Sequence, residues 1–195
     1  AAAARIPGST DLAREVLRAA IQRDPGRHEP WLRLARLEAD SGHAQAALDA
    51  FLRAVDTAEN PPGVLSDAID RLIDAGMASE AIRLLDARAD GIRLSPGQSE
   101  RVAAACLRLR HLRCAERHAT AFLDGPLDTD YDYVALARSL ADASLWTAAE
   151  RALAAAEKRL VPGAAWIARL ERGRMELARG RDDEAADWFE RAAAE

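Results

Sequence analysis

Positions with one helical spacing recur along the chain at a fixed interval. Trp31, Leu34, Ala35 and Glu38 fall at i, i+3, i+4 and i+7, and Tyr133, Leu136, Ala137 and Leu140 repeat this spacing three periods of 34 residues later. A second set follows each of these. Ala13, Ala47, Ala81, Ala115 and Ala149 are each 34 residues apart, and Ala185 follows after 36. Five residues upstream of these stand Gly8, Gly42, Gly76, Arg110, Ser144 and Gly180, and four downstream come Leu17, Phe51, Leu85, Ala119, Leu153 and Phe189. The spacing predicts two amphipathic helices per unit, joined at the glycine column.

Each column has a physical reason. A glycine between two helices adopts positive φ without a Cβ penalty. The small alanine lets two helix axes approach, and the Leu or Phe beside it fills the gap. Between units stand Asp24-Pro25-Gly26, Pro61-Pro62-Gly63, Ser95-Pro96-Gly97, Gly125-Pro126 and Val161-Pro162-Gly163. Proline cannot continue a helix interior, so each cluster ends one unit and starts the next.

The order Trp31, Leu34, Ala35, Gly42, Ala47, Phe51, Ala54 and Pro61 resembles the tetratricopeptide-repeat consensus. Departures are local: Arg88 stands where a small residue is expected, Arg110 and Ser144 replace the turn glycine, and Arg169 takes the first-helix aromatic position with Trp166 three residues earlier. The resemblance implies an all-α fold, a right-handed α-solenoid of stacked antiparallel helix pairs. It would span 1–195 with about five and a half repeats, in units near 1–27, 28–61, 62–95, 96–129, 130–165 and 166–195. Gly8 in the turn column makes Ala1 to Ile6 the end of a first helix, so the sequence reads as a piece of a larger protein. The unit 96–129 matches the consensus least.

The resemblance also implies a role. Members of the family dock protein or peptide partners on the face lined by the first helices. The corresponding positions are Leu32, Arg36 and Asp40, then Ser66, Asp70 and Asp74. Glu100 and Arg108 follow, then Val134, Arg138 and Asp142, and finally Leu170 and Arg174. Arginine recurs at one position, in Arg36, Arg138 and Arg174, and suits an acidic side chain or a chain-end carboxylate. The lysine and asparagine clamp of the chaperone-binding members is not expected, since Lys158 is the only lysine and Asn60 the only asparagine.

Composition agrees with helices. Hydrophobic residues make up 49% of the chain and aromatics only 5%, with alanine abundant and β-branched residues scarce. Of 27 basic residues all but one are arginine, which with the alanines suggests a GC-rich bacterial gene. The net charge is -5, and most arginines have acidic neighbours in sequence, such as Glu15 with Arg14 and Arg18, or Glu150 with Arg151. That is the pattern of a solvated helix surface and not of a nucleic-acid footprint. No apolar run reaches the length of a membrane span, and the start lacks the pattern of a signal peptide. The compartment stays open between cytoplasm and periplasm.

Candidate chemistry is sparse. His111, Cys114 and His118 share a helical face, with Cys106 one helix earlier, a set capable of binding zinc. Two buried free thiols are the favoured reading of the cysteines, with a bridge dependent on Cα spacing. The glycines stand singly at turns and form no phosphate loop. Ser9, Ser66 and Ser99 are expected to cap helices, and Asp182-Asp183-Glu184 to open one, where carboxylates favour the positive end of the dipole. The tryptophans Trp31, Trp146, Trp166 and Trp188 are expected in the core, with Trp166 near the groove mouth. No enzyme activity and no cofactor is expected. The leading expectation is a docking scaffold, ahead of an accessory region of a larger enzyme or a polysaccharide synthesis or export protein, and of a metal or thiol site at Cys106, Cys114, His111 and His118.

Overall fold

The computed structural model describes residues 9–88, 94–125, 132–159 and 164–194. Among them are eleven helices and no strand. These are α1 (Ser9–Arg23), α2 (His28–Asp40), α3 (Ala44–Thr57), α4 (Pro61–Asp74), α5 (Ala78–Arg88), α6 (Pro96–Arg108), α7 (Leu112–Leu123), α8 (Tyr133–Asp142), α9 (Trp146–Arg159), α10 (Ala165–Ala178) and α11 (Asp182–Ala193). The chain forms two compact units, Ala1–Leu94 and Ser95–Glu195. In the first, α2 pairs with α3 and α4 with α5, while α1 packs on α2 and α3 on α4. In the second, the pairs are α6 with α7, α8 with α9 and α10 with α11, with α9 contacting both α7 and α10. No helix among the described residues is long and apolar enough to cross a membrane.

The turn column behaves as its chemistry requires. Gly42, Gly76 and Gly180 have φ of 81°, 76° and 74°. Arg110 and Ser144, which replace glycine, are held at φ 59° in the same left-handed region. The repeat geometry thus overrides the residue preference at both sites, at a cost of about 1–2 kcal/mol each. The alanine column is buried at every described position from Ala47 onward, with Ala47, Ala115 and Ala185 completely so. Phe51, Leu85 and Leu153 beside it are also buried and fill the space between helices.

Helix starts differ from the sequence reading. Ser66 and Ser99 lie inside α4 and α6 and not at their ends. The caps are Asn60, which accepts from the Gly63 amide at 3.3 Å, and Ser95, which with Gln98 forms a reciprocal capping box. Asn60 and Ser95 each stand directly before a proline, the residue suited to a first helical position. Asp182, Asp183 and Glu184 form the first turn of α11 as expected. Gly173 is no turn residue: it is buried within α10, where a Cβ would lie 2.4 Å from the Phe189 ring. Phe189 packs over the bare backbone there. The segments at 1–8, 126–131 and 160–163, and with them the expected first-helix remnant, lie outside the described residues.

Ion pairing also departs from the neighbour-in-sequence picture. Arg14 of α1 reaches the buried Glu38 of α2 at 2.7 Å, and Arg88 of α5 reaches Asp56 of α3 at 2.6 Å. Glu150 pairs with Arg179 at 2.5 Å, and Arg151 with Asp124. Sequence adjacency misleads because consecutive helix residues point about 100° apart, whereas stacking brings faces of different helices together.

Candidate functional site

The first helices of the pairs carry the docking positions inferred from sequence. In the first unit, Leu32, Arg36 and Asp40 lie on α2, and Ser66, Asp70 and Asp74 on α4. Arg36 donates to Asp67 at 2.8 Å, and Arg71 to Asp40, so both charged docking positions of α2 are answered by α4. Ser66, Asp70 and Asp74 are likewise engaged.

In the second unit, Glu100 and Arg108 lie on α6, Val134, Arg138 and Asp142 on α8, and Leu170 and Arg174 on α10. A cavity of about 600 Å³ opens between α8, α9 and α10. Three of the inferred residues, Arg138, Asp142 and Arg174, line it together, while Val134, Leu170, Glu100 and Arg108 do not. Val134 is buried. The apolar floor includes Ala137, Leu153 and Met175, and Trp146 closes one side.

Glu171 organises the charges. Its carboxylate is 6% exposed and accepts from Arg138 at 2.6 Å and from Arg174 at 2.7 Å, while both arginines remain more than half exposed. The hydrogen bond from Arg138 holds the Glu171 carboxyl below the usual carboxylate range against the opposing effect of burial, with the charges of Arg138 and Arg174 adding to it. The Arg138 guanidinium is correspondingly raised. Each guanidinium has five N–H donors, so donors remain after the bond to Glu171.

The repeat register accounts for this arrangement. Arg138 is the equivalent of Arg36 three units on, and Glu171 the equivalent of Asp67 once the two-residue stretch of the last unit is counted. One ion pair between successive repeats therefore occurs twice, at 2.8 Å in the first compact unit and 2.6 Å in the second. The neighbouring pair does not recur. Asp142 is the equivalent of Asp40, but the partner Arg71 is replaced by Met175, and Trp146 stands where the first unit has Ala44.

Glu171, Trp146 and Met175 are absent from the residues inferred by family position. The acidic pair Asp67 and Glu171 shows in the repeat register only once the two-residue stretch of the last unit is counted. The tryptophans are less buried than a core role requires: Trp31 is half-buried and donates to the Pro25 carbonyl at 3.1 Å, and Trp188 lies between Arg172 and Arg191, 5.0 and 4.8 Å from its ring centre. Arg179 covers Trp146 at 5.7 Å. Trp166 is 42% exposed on α10 but does not line the cavity.

The cysteines correct the free-thiol reading. Cys106 of α6 and Cys114 of α7 form a disulfide, with Cα atoms 5.9 Å apart. The turn at Arg110 sets this spacing. With both sulfurs bonded to each other, neither is a thiolate ligand, and no group of three His, Cys, Asp or Glu among the described residues is placed to hold a metal.

Comparison with known proteins agrees with the helix-pair architecture. The tetratricopeptide-repeat family model matches residues 8–63 and 134–195, more than half of the chain. No curated protein matches the chain in sequence. Among solved structures, YrrB superposes with a TM-score of 0.56 at 15% identity, covering 92% of this chain and 91% of its own. The MamA protein superposes with a TM-score of 0.54 at 17% identity, covering 85% of this chain and 89% of its own. At these identities the likeness concerns the fold. The repeat columns, the helix pairs they build and the family match agree: this chain belongs to the tetratricopeptide-repeat family.

Proposed function

We propose that this chain is a non-enzymatic docking module that holds a peptide segment of a protein partner in the cavity between α8, α9 and α10. Tetratricopeptide repeats are protein-interaction scaffolds in general, since stacked helix pairs present a continuous surface for a partner. The observation that carries the reading is the pair of exposed guanidiniums, Arg138 and Arg174, converging on one buried carboxylate at the edge of an apolar cavity. Two cations share one buried anion, so Arg138 and Arg174 keep spare donors for an acidic side chain or a terminal carboxylate. Ala141, Trp146 and Ala178 offer apolar surface beside it. YrrB, one of the structural neighbours, is described as a TPR protein with an unusual peptide-binding site.

Selection of peptides from a random display library tests the proposal. Enriched peptides should lose about tenfold or more in affinity to the double variant Arg138→Gln, Arg174→Gln, the size expected for losing one or two charge-assisted hydrogen bonds. Circular dichroism of the variant should keep its helical signal. Unchanged affinity in a folded double variant would contradict the assignment.

A further inference from the structure

The missing ion pair points to the chemistry of the ligand. In the first unit both charged docking positions of α2 are ion-paired, Arg36 with Asp67 and Asp40 with Arg71. In the second unit the first of these pairs is kept and the second is broken, because Met175 stands where Arg71 stands. Asp142 is left exposed at the cavity and makes no ion pair among the described residues. The same substitution gives the cavity floor an apolar side chain in place of a guanidinium. One exchange thus leaves an unanswered anion beside the two guanidiniums of Arg138 and Arg174.

Resting on the docking reading above, we infer that the cavity takes an extended peptide carrying a basic and an acidic side chain two positions apart. Asp142 holds the basic side chain, in the place Arg71 holds in the first unit, and Arg138 with Arg174 holds the acidic one. The spacing follows from geometry. Arg138 and Asp142 are one helical turn apart on α8, about 6 Å along the axis. Alternate residues of an extended chain point the same way and lie about 6.6 Å apart. A segment of the form basic-X-acidic, or its reverse, therefore meets both charges at once. A purely acidic segment would place negative charge against Asp142, so Asp142 selects against it.

Four fluorescein-labelled heptapeptides with identical apolar flanks separate the possibilities: Lys-X-Asp, Asp-X-Lys, and each with Gln in place of Lys. Fluorescence anisotropy with the wild-type chain should show one of the two dipolar peptides binding about fivefold more tightly than its Gln counterpart, as for a partly exposed ion pair. That preference should vanish in Asp142→Asn. It should also vanish in Met175→Arg, which restores the partner seen at Arg71, compared in a preparation whose circular dichroism matches the wild type. Gln and Lys peptides binding equally well to the wild type would overturn this inference and leave the docking reading standing. Binding by none of the four would overturn both.

Discussion

Arg138 and Glu171 are joined at 2.6 Å across the step from α8 to α10, repeating the Arg36–Asp67 bond three units later. The two copies differ in burial. Asp67 is 43% exposed, while Glu171 is 6% exposed and carries a second arginine. Glu171→Gln should therefore lower stability by about 2 kcal/mol, since the hydrogen bonds lost are charge-assisted and the carboxylate is buried. Asp67→Asn should cost about 0.5 kcal/mol, as exposed pairs do. Urea denaturation midpoints of the two variants check the difference.

The turn column supplies a second test. Arg110 and Ser144 sit at φ 59° without being glycine. Arg110→Gly and Ser144→Gly should each stabilise the chain by up to about 1 kcal/mol, the relief of a left-handed backbone outweighing the added freedom of the unfolded chain. Gly42→Ala, at φ 81°, should destabilise by about 1 kcal/mol. Thermal unfolding should move upward for the first two and downward for the third.

Enlarging small residues at packed positions should be costly. Gly173→Ala places a Cβ against Phe189, and Ala81→Leu enlarges a buried column residue. Each should cost about 1–3 kcal/mol by overpacking. Gly173→Ala in a Phe189→Leu background should recover part of the loss, which denaturation of the single and double variants would show.

The Cys106–Cys114 bridge closes a short loop between α6 and α7. Removing it by Cys106→Ser, Cys114→Ser should lower stability by about 2 kcal/mol through the entropy returned to the unfolded chain. Comparing this variant with the oxidised wild type in urea measures the effect.

Acid should weaken the fold through identified carboxylates. The Arg14 guanidinium lowers Glu38, Arg88 lowers Asp56 and Arg138 lowers Glu171. A carboxyl held lower in the folded state than in the unfolded one binds fewer protons when folded. Its stabilisation is complete above the unfolded value, near 4.3 for Glu and 3.9 for Asp, and is lost as pH falls through the lowered folded value. Denaturation midpoints should thus fall below about pH 4.5, and less steeply in Glu38→Gln, Glu171→Gln.

The fold was legible in the sequence because burial and turn geometry act locally. The alanine column, the positive-φ turns and the proline-bounded starts each follow from one residue's sterics at a fixed spacing. The lining of the proposed site was legible in part. Arg138, Asp142 and Arg174 came from family position, whereas Glu171 needed the register of one unit against the next. Trp146 and Met175 gave no signal as isolated residues, because their meaning lies in what they replace, Ala44 and Arg71. The disulfide depended on a Cα spacing that only the turn at Arg110 establishes.

Backbone amide shifts of the ¹⁵N-labelled chain, titrated with a selected peptide, test the central assignment most directly. The largest changes are expected in α8 from Ala137 to Asp142, at Trp146 of α9 and in α10 from Glu171 to Ala178, with little change from α1 to α5. Changes concentrated on α2 and α4, with α8 and α10 silent, would contradict it.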